Sequence, residues 1–114
     1  MTTTATQDIL VHTEAGVTTL TLNRADKKNS LTRAMYAALA DALEQAQAND
    51  AVRAVLLQGD MAVFSAGNDI ADFLAHPPTD PSSPVFRFLR AIAAFPKPLV
   101  AAVCGPAVGI GTTM

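Results

Sequence analysis

Polar and apolar positions alternate along Val17-Thr18-Thr19-Leu20-Thr21-Leu22, the pattern of a strand with one buried face. Ile9-Leu10-Val11-His12-Thr13 is strand-like too, with His12 read as an edge-strand side chain, and Glu14-Ala15-Gly16 between the two is a short hairpin loop. The period then lengthens. Thr32 can cap a helix whose stripe is Met35, Leu39, Leu43 and Ala46, flanked by Ala38 and Ala42 and ending near Asn49-Asp50. Ala54-Val55-Leu56-Leu57-Gln58-Gly59 has the length and β-branched content of a buried strand. Ile70 to Ala75 predicts a helical turn capped by Asp69. Residues 76–84 hold four of the seven prolines and predict an exposed loop. Val85 to Phe95 resumes helical spacing through Phe88, Leu89, Ile92 and Phe95, and Pro96 and Pro98 end it. Leu99 to Cys104 is a wholly apolar strand, which expects cover on both faces.

Composition narrows the class. Half of the 114 residues are apolar, 16% are charged and Trp is absent, as in an Ala-rich globular α/β unit with a buried sheet. A net charge of −2 gives no electrostatic footprint for nucleic acid. The single cysteine, Cys104, excludes an intrachain disulfide and reads as a buried thiol. Residues 1–8 are polar and Thr-rich and are expected to be a disordered tail, with residues 9–114 as the folded unit. There is neither a secretory leader nor an apolar run of membrane-spanning length, so no membrane partner and a cytoplasmic location are expected. The chain ends at Met114 just after a Gly-rich turn, where a helix would be expected to continue, so it reads as the front part of something longer.

Candidate chemistry lies at two strand-to-turn junctions, Ala66-Gly67-Asn68 and Gly109-Ile110-Gly111. Small residues around glycine let the backbone turn sharply and leave N–H groups unpaired. Two such donors can stabilise negative charge developing on an oxygen. The alternative for the first junction is a surface turn with Asn and Asp as ordinary turn formers. The loop from Asn23 to Ser30 carries Arg24, Lys27 and Lys28, three of the eight cations, and is either simply solvated or a site for a phosphorylated ligand. Rival readings fail on particular residues. A dinucleotide fingerprint would need glycine at Met114, a P-loop would need lysine beside Gly111, and Ser65 is not framed as a nucleophile elbow. No Cys/His spacing suits a metal.

Four segments in order carry a family resemblance: Leu22-Asn23-Arg24 through Lys27-Lys28-Asn29-Ser30-Leu31, Phe64-Ser65-Ala66-Gly67-Asn68-Asp69-Ile70, Lys97-Pro98-Leu99-Val100-Ala101-Ala102-Val103, and Gly105-Pro106-Ala107-Val108-Gly109-Ile110-Gly111. Across residues 9–114 the chain resembles the crotonase superfamily of enoyl-CoA hydratases and isomerases. The resemblance implies a fold of ββα spiral turns, here without the later turns and the helical trimerisation region, and a homotrimer or hexamer at full length. It implies an acyl-CoA substrate, no cofactor beyond the coenzyme A of that substrate, and an oxyanion hole made by the backbone N–H groups of Asn68 and Ile110. Ala66, Gly67, Asp69 and Ile70 would lie along the adenine end of CoA, Lys27 or Lys28 near its phosphates, and Gly109 beside the second donor.

Two departures bear on the reaction. Hydratases of the superfamily place a glutamate three residues after the second donor, where this chain has Thr113. The other acid/base carboxylate would lie beyond Met114. One carboxylate suffices to move a double bond, whereas water addition by the two-glutamate route needs two groups. Isomerisation is therefore the favoured reading, with the 114-residue chain inactive alone. Asp69 and Asp72 are expected to be capping or surface groups. The alternative is a non-catalytic crotonase-like binding or scaffolding subunit.

Overall fold

The alternation in residues 17–22 buries Thr18, Leu20 and Leu22 on one face of a strand, and that face carries the core. A computed structural model describes residues 2–5, 8–24, 27–59, 63–75, 80–103, 105 and 107. Its elements are β1 (Thr2–Ala5), β2 (Ile9–Glu14), β3 (Val17–Leu22), α1 (Arg33–Ala48), β4 (Ala54–Gln58), α2 (Ile70–Ala75), α3 (Pro84–Ala93) and β5 (Leu99–Ala102). They form a five-stranded sheet in the order β1-β2-β3-β4-β5. The first three strands are antiparallel neighbours, and β4 and β5 join in parallel after helical crossovers.

The β2–β3 turn pairs Glu14 with Val17 across Ala15 and Gly16, both at positive φ, 53° and 82°. That is the two-residue hairpin geometry whose twist suits the flanking strands. Two expectations change here. Residues 2–5, expected in a disordered tail, add to the sheet as β1, because a run of β-branched threonines suits the otherwise open edge of β2. His12 therefore sits on an inner strand, opposite Thr3 and Thr19.

Helix α1 starts at Thr32, whose hydroxyl accepts the Met35 N–H at 3.2 Å. Its buried stripe of Met35, Tyr36, Leu39, Leu43 and Ala46 meets Ile9, Leu20, Leu22, Val55 and Leu57 from the sheet and Phe88 from α3. Lys97 closes the other end, its Nζ donating to the carbonyls of Ala46 (2.7 Å) and Asn49 (2.8 Å), where the helix dipole favours a cation. Arg87 of α3 reaches Asp41 and Glu44 of α1, but both carboxylates are more than half exposed, which limits each pair to under about 1 kcal/mol. Burying Phe88 contributes about 1.5–3 kcal/mol and decides the docking of α3.

Pro84, read from sequence as loop, is the first residue of α3, where its fixed φ and missing N–H do no harm. Residues 76–79 of that loop lie outside the described residues. Strand β5 is the last strand of the sheet, with Val100 57% exposed and Val103, just after it, 51% exposed. Its apolar composition anticipates cover that the described residues do not supply.

Candidate active site

Strand β4 leads to Gly59, which lies so close to the returning chain that a Cβ there would stand 2.6 Å from the Phe64 carbonyl oxygen. Only glycine lets the two backbones touch. The returning segment then runs beside the loop before α1. The Ala66 N–H donates to the Lys28 carbonyl (3.0 Å), the Leu31 N–H to the Gly67 carbonyl (2.7 Å) and the Asp69 N–H to the Leu31 carbonyl (2.8 Å). The Gly67 N–H meets Ser65 Oγ at 3.1 Å.

This pairing aims one peptide. The Gly67 carbonyl is held toward Leu31, and in a planar trans peptide the following N–H points the opposite way. The Asn68 N–H therefore faces away from Leu31, and it makes no hydrogen bond among the described residues. Gly67 adopts φ 91°, which a side chain would strain, so the glycine of this turn is needed for the geometry. A rigidly held, unpaired N–H is what charge stabilisation on oxygen requires.

Four side chains brace the turn. Asn29 is fully buried at φ 54°; its Oδ1 accepts the Arg24 N–H (2.7 Å) and its Nδ2 donates to the carbonyls of Val63 (3.3 Å) and Phe64 (3.2 Å). Arg24 Nη1 donates to the Ser30 carbonyl and hydroxyl (both 3.0 Å) and to Asp69 Oδ2 (2.8 Å). Asp69 Oδ1 accepts the Asp72 N–H at 2.9 Å, capping α2. That N–H first and Arg24 second hold the Asp69 carboxyl below the usual carboxylate range. The buried hydroxyl of Tyr36 donates to Asn68 Oδ1.

Ala66, Gly67, Asn68, Asp69 and Ile70 thus form one braced segment. The N–H groups of Ala66, Gly67 and Asp69 and the Asp69 carboxylate are consumed internally. The exposed Lys27 and Lys28 flank it, since the Lys28 carbonyl itself receives the Ala66 N–H. Arg24, grouped by sequence with those lysines, turns inward to Ser30 and Asp69 instead, because a half-buried carboxylate outcompetes solvent for the guanidinium. Ser65 is buried, its hydroxyl donating to the Asn29 carbonyl at 3.0 Å. Gly109 and Ile110 lie outside the described residues. The approach to them is described: Ala107 bridges Ser65 in parallel, three positions before each expected donor.

A family described as enoyl-CoA hydratase/isomerase matches residues 12–114. The chain belongs to the enoyl-CoA hydratase/isomerase family. The solved structure of Pseudomonas aeruginosa OdaA overlays on it with a TM-score of 0.91 at 58% identity, covering 95% of this chain and 44% of that one. The 1,2-epoxyphenylacetyl-CoA isomerase of Escherichia coli (strain K12) is 42% identical over 113 residues, 93% of this chain and 43% of the relative. Enoyl-CoA delta isomerase 2 of Rattus norvegicus is 41% identical over 113 residues, 93% of this chain and 28% of the relative. The chain spans less than half the length of each. The architecture is that of the crotonase fold, and a non-catalytic scaffolding role finds no support among these relatives.

For an enoyl-CoA hydratase/isomerase chain, the bracing residues are the part sequence reasoning missed. Asn29 was legible as a loop residue within the first resemblance segment, but not as a brace. Tyr36 lies one position off the apolar stripe that defined α1. A signal was available for Tyr36: a phenol on a helix face due for burial must find a partner for its hydroxyl.

Proposed function

We propose that this chain supplies the acyl-CoA-binding face and the Asn68 N–H oxyanion donor of an enoyl-CoA isomerase. The observation that carries the reading is the aimed Gly67–Asn68 peptide, with its carbonyl engaged and its N–H open among the described residues. A thioester carbonyl accepting that N–H, with a second donor from Ile110, has its α-proton acidified. A base takes the proton from the α-carbon, the charge spreads to the thioester oxygen as a dienolate, and the proton returns at the γ-carbon. Nothing is gained or lost overall, so one carboxylate suffices. Thr113, in place of a second acid/base group, and the relative named as an enoyl-CoA delta isomerase support this over hydration.

The adenine amine, a donor, suits the Ala66 and Asn68 carbonyls, which accept no bond among the described residues. Lys27 and Lys28 suit the phosphates as exposed point charges. The base comes from outside the described residues, since Asp69 and Asp72 are committed to Arg24, the Asp72 N–H and the Arg33 N–H. A homotrimer or hexamer at the length of the relatives, readable by sedimentation, belongs to the same proposal.

The test is a time course of 3-enoyl-CoA isomerisation and 2-enoyl-CoA hydration at the length of the relatives. Isomerisation should be the faster. Asn68→Pro, which deletes the N–H, should lower it by roughly 10²–10³-fold, and Asn68→Ala by much less. Efficient hydration, or equal damage from both variants in folded protein, would refute the reading. The 114-residue chain alone should bind thioester without turnover.

A further inference from the structure

We propose that Tyr36 is a positioning residue for the oxyanion turn, its hydroxyl holding the Asn68 side-chain carbonyl away from the Asn68 N–H. This rests on the reading of that N–H as an oxyanion donor. Every other N–H from Ala66 to Asp69 already has an acceptor, so the open one is the natural target for any loose acceptor nearby. One such acceptor, the side-chain carbonyl, belongs to the same residue. A free Asn carbonyl readily bonds its own or neighbouring backbone N–H groups, the habit that makes Asn a turn former. An oxyanion donor carried by Asn is therefore exposed to self-quenching.

Tyr36 removes that competitor. Its hydroxyl donates to Asn68 Oδ1 across 32 positions of sequence. The phenol is a fixed post: it stands on α1, is 2% exposed, and its ring packs tilted at 53° on Phe88, centroids 5.6 Å apart. Two elements of the core thereby dictate where the Asn68 side chain goes. The Gly67 carbonyl, held by Leu31, dictates where the N–H goes. Burial also pushes the phenol up to about 12, so the hydroxyl keeps its donor proton at any working pH.

The test uses Tyr36→Phe, which keeps the ring against Phe88, with Asn68→Ala and the double variant. The probe is a chromophoric arylacryloyl-CoA thioester, whose absorption moves to longer wavelength when its carbonyl is polarised. Wild type should show the red shift, Asn68→Ala should keep most of it, and Tyr36→Phe should lose at least half while binding the probe within about threefold of wild type. The double variant should regain the Asn68→Ala value, because alanine has no carbonyl to swing inward; this non-additivity is the signature. Equal losses in Tyr36→Phe and the double variant would make Tyr36 merely structural and overturn the proposal. So would an undiminished shift in Tyr36→Phe. A bound probe with no shift in wild type would instead sink the oxyanion reading. A ligand-free measurement decides the positioning even then: solvent exchange of the Asn68 backbone N–H should slow in Tyr36→Phe, as the freed carbonyl captures it. Exchange unchanged from wild type overturns the inference.

Discussion

Tyr36 is the only tyrosine in a chain without tryptophan, so its ionisation can be followed by absorbance with no other residue contributing. Buried on α1 and donating to Asn68, it has its pKa raised by burial from 10.0 to about 12. The raised value means the native state holds the proton more tightly than the unfolded state. Its stabilising effect is therefore complete below pH 10 and is lost as pH climbs from 10 to about 12. At about 1.4 kcal/mol per pH unit, the loss across that window is up to about 3 kcal/mol. Titrating folded protein should give a tyrosinate midpoint well above 10, and protein in urea a midpoint near 10. Denaturant unfolding of wild type and Tyr36→Phe, measured at intervals from pH 8 to 12, isolates the effect. Their difference in stability should be flat to about pH 10 and then fall, whatever the lysines contribute to both. A tyrosinate midpoint near 10 in protein that circular dichroism shows to be folded would refute the burial of the phenol and its bond to Asn68.

Other substitutions test the rest of the frame. Gly59→Ala would drive a methyl to 2.6 Å from the Phe64 oxygen and 2.9 Å from its Cα; the expected cost is about 1–3 kcal/mol by urea unfolding, with weakened acyl-CoA binding as the turn shifts. Asn29→Ala strands the Arg24 N–H and two carbonyls and leaves alanine at φ 54°, so a loss of roughly 2–4 kcal/mol is expected; a change under about 0.5 kcal/mol would show that Asn29 does not clip the loop to the turn. Asp69 has a depressed pKa, so its contribution is present above the ordinary carboxylate range and disappears as pH falls through its folded value; Asp69→Asn should flatten that part of the acid unfolding curve.

Apart from β1, the elements were legible because each rests on local pattern. Alternation over 17–22, the stripe from Met35 to Ala46 and the apolar run at 54–58 appear where those periods place them, within a residue or two. The turn at Gly67-Asn68 was legible as well, since glycine after a strand signals a backbone that side chains would strain. What holds the turn was not. Arg24 reaches Asp69 across 45 positions, Tyr36 reaches Asn68 across 32, and Asn29 reaches Val63 and Phe64 across 34 and 35. No periodicity records such pairs. Arg24 had the composition of a phosphate-binding loop, and only the fold shows that its charge is spent on Asp69.

The same separation explains why the site is braced as it is. An N–H left open in a flexible loop would bond water, or its own side chain, and would have to be freed for each substrate. Here the Leu31 bridge sets the peptide plane and Asn29 anchors the segment before it. Arg24 and Asp69 pin the segment after it, and Tyr36 occupies the side chain of Asn68 itself. Apart from Asp69, each brace comes from a residue before or on α1, so the order of the turn depends on α1 docking against the sheet and α3. A substitution that loosens this docking, far from any thioester, should therefore cost polarisation of the thioester before it costs binding. On the proposed reading, binding would draw on exposed lysines and carbonyls that tolerate small displacements, whereas an oxyanion donor must lie within about 0.5 Å of its place. Phe88→Ala checks this: it removes the ring beside Tyr36 and should cost about 3–5 kcal/mol of stability. At temperatures where the variant is still folded, the probe should bind with a diminished red shift. Full polarisation in folded Phe88→Ala would show that the turn is held by its own hydrogen bonds and not by the core behind it.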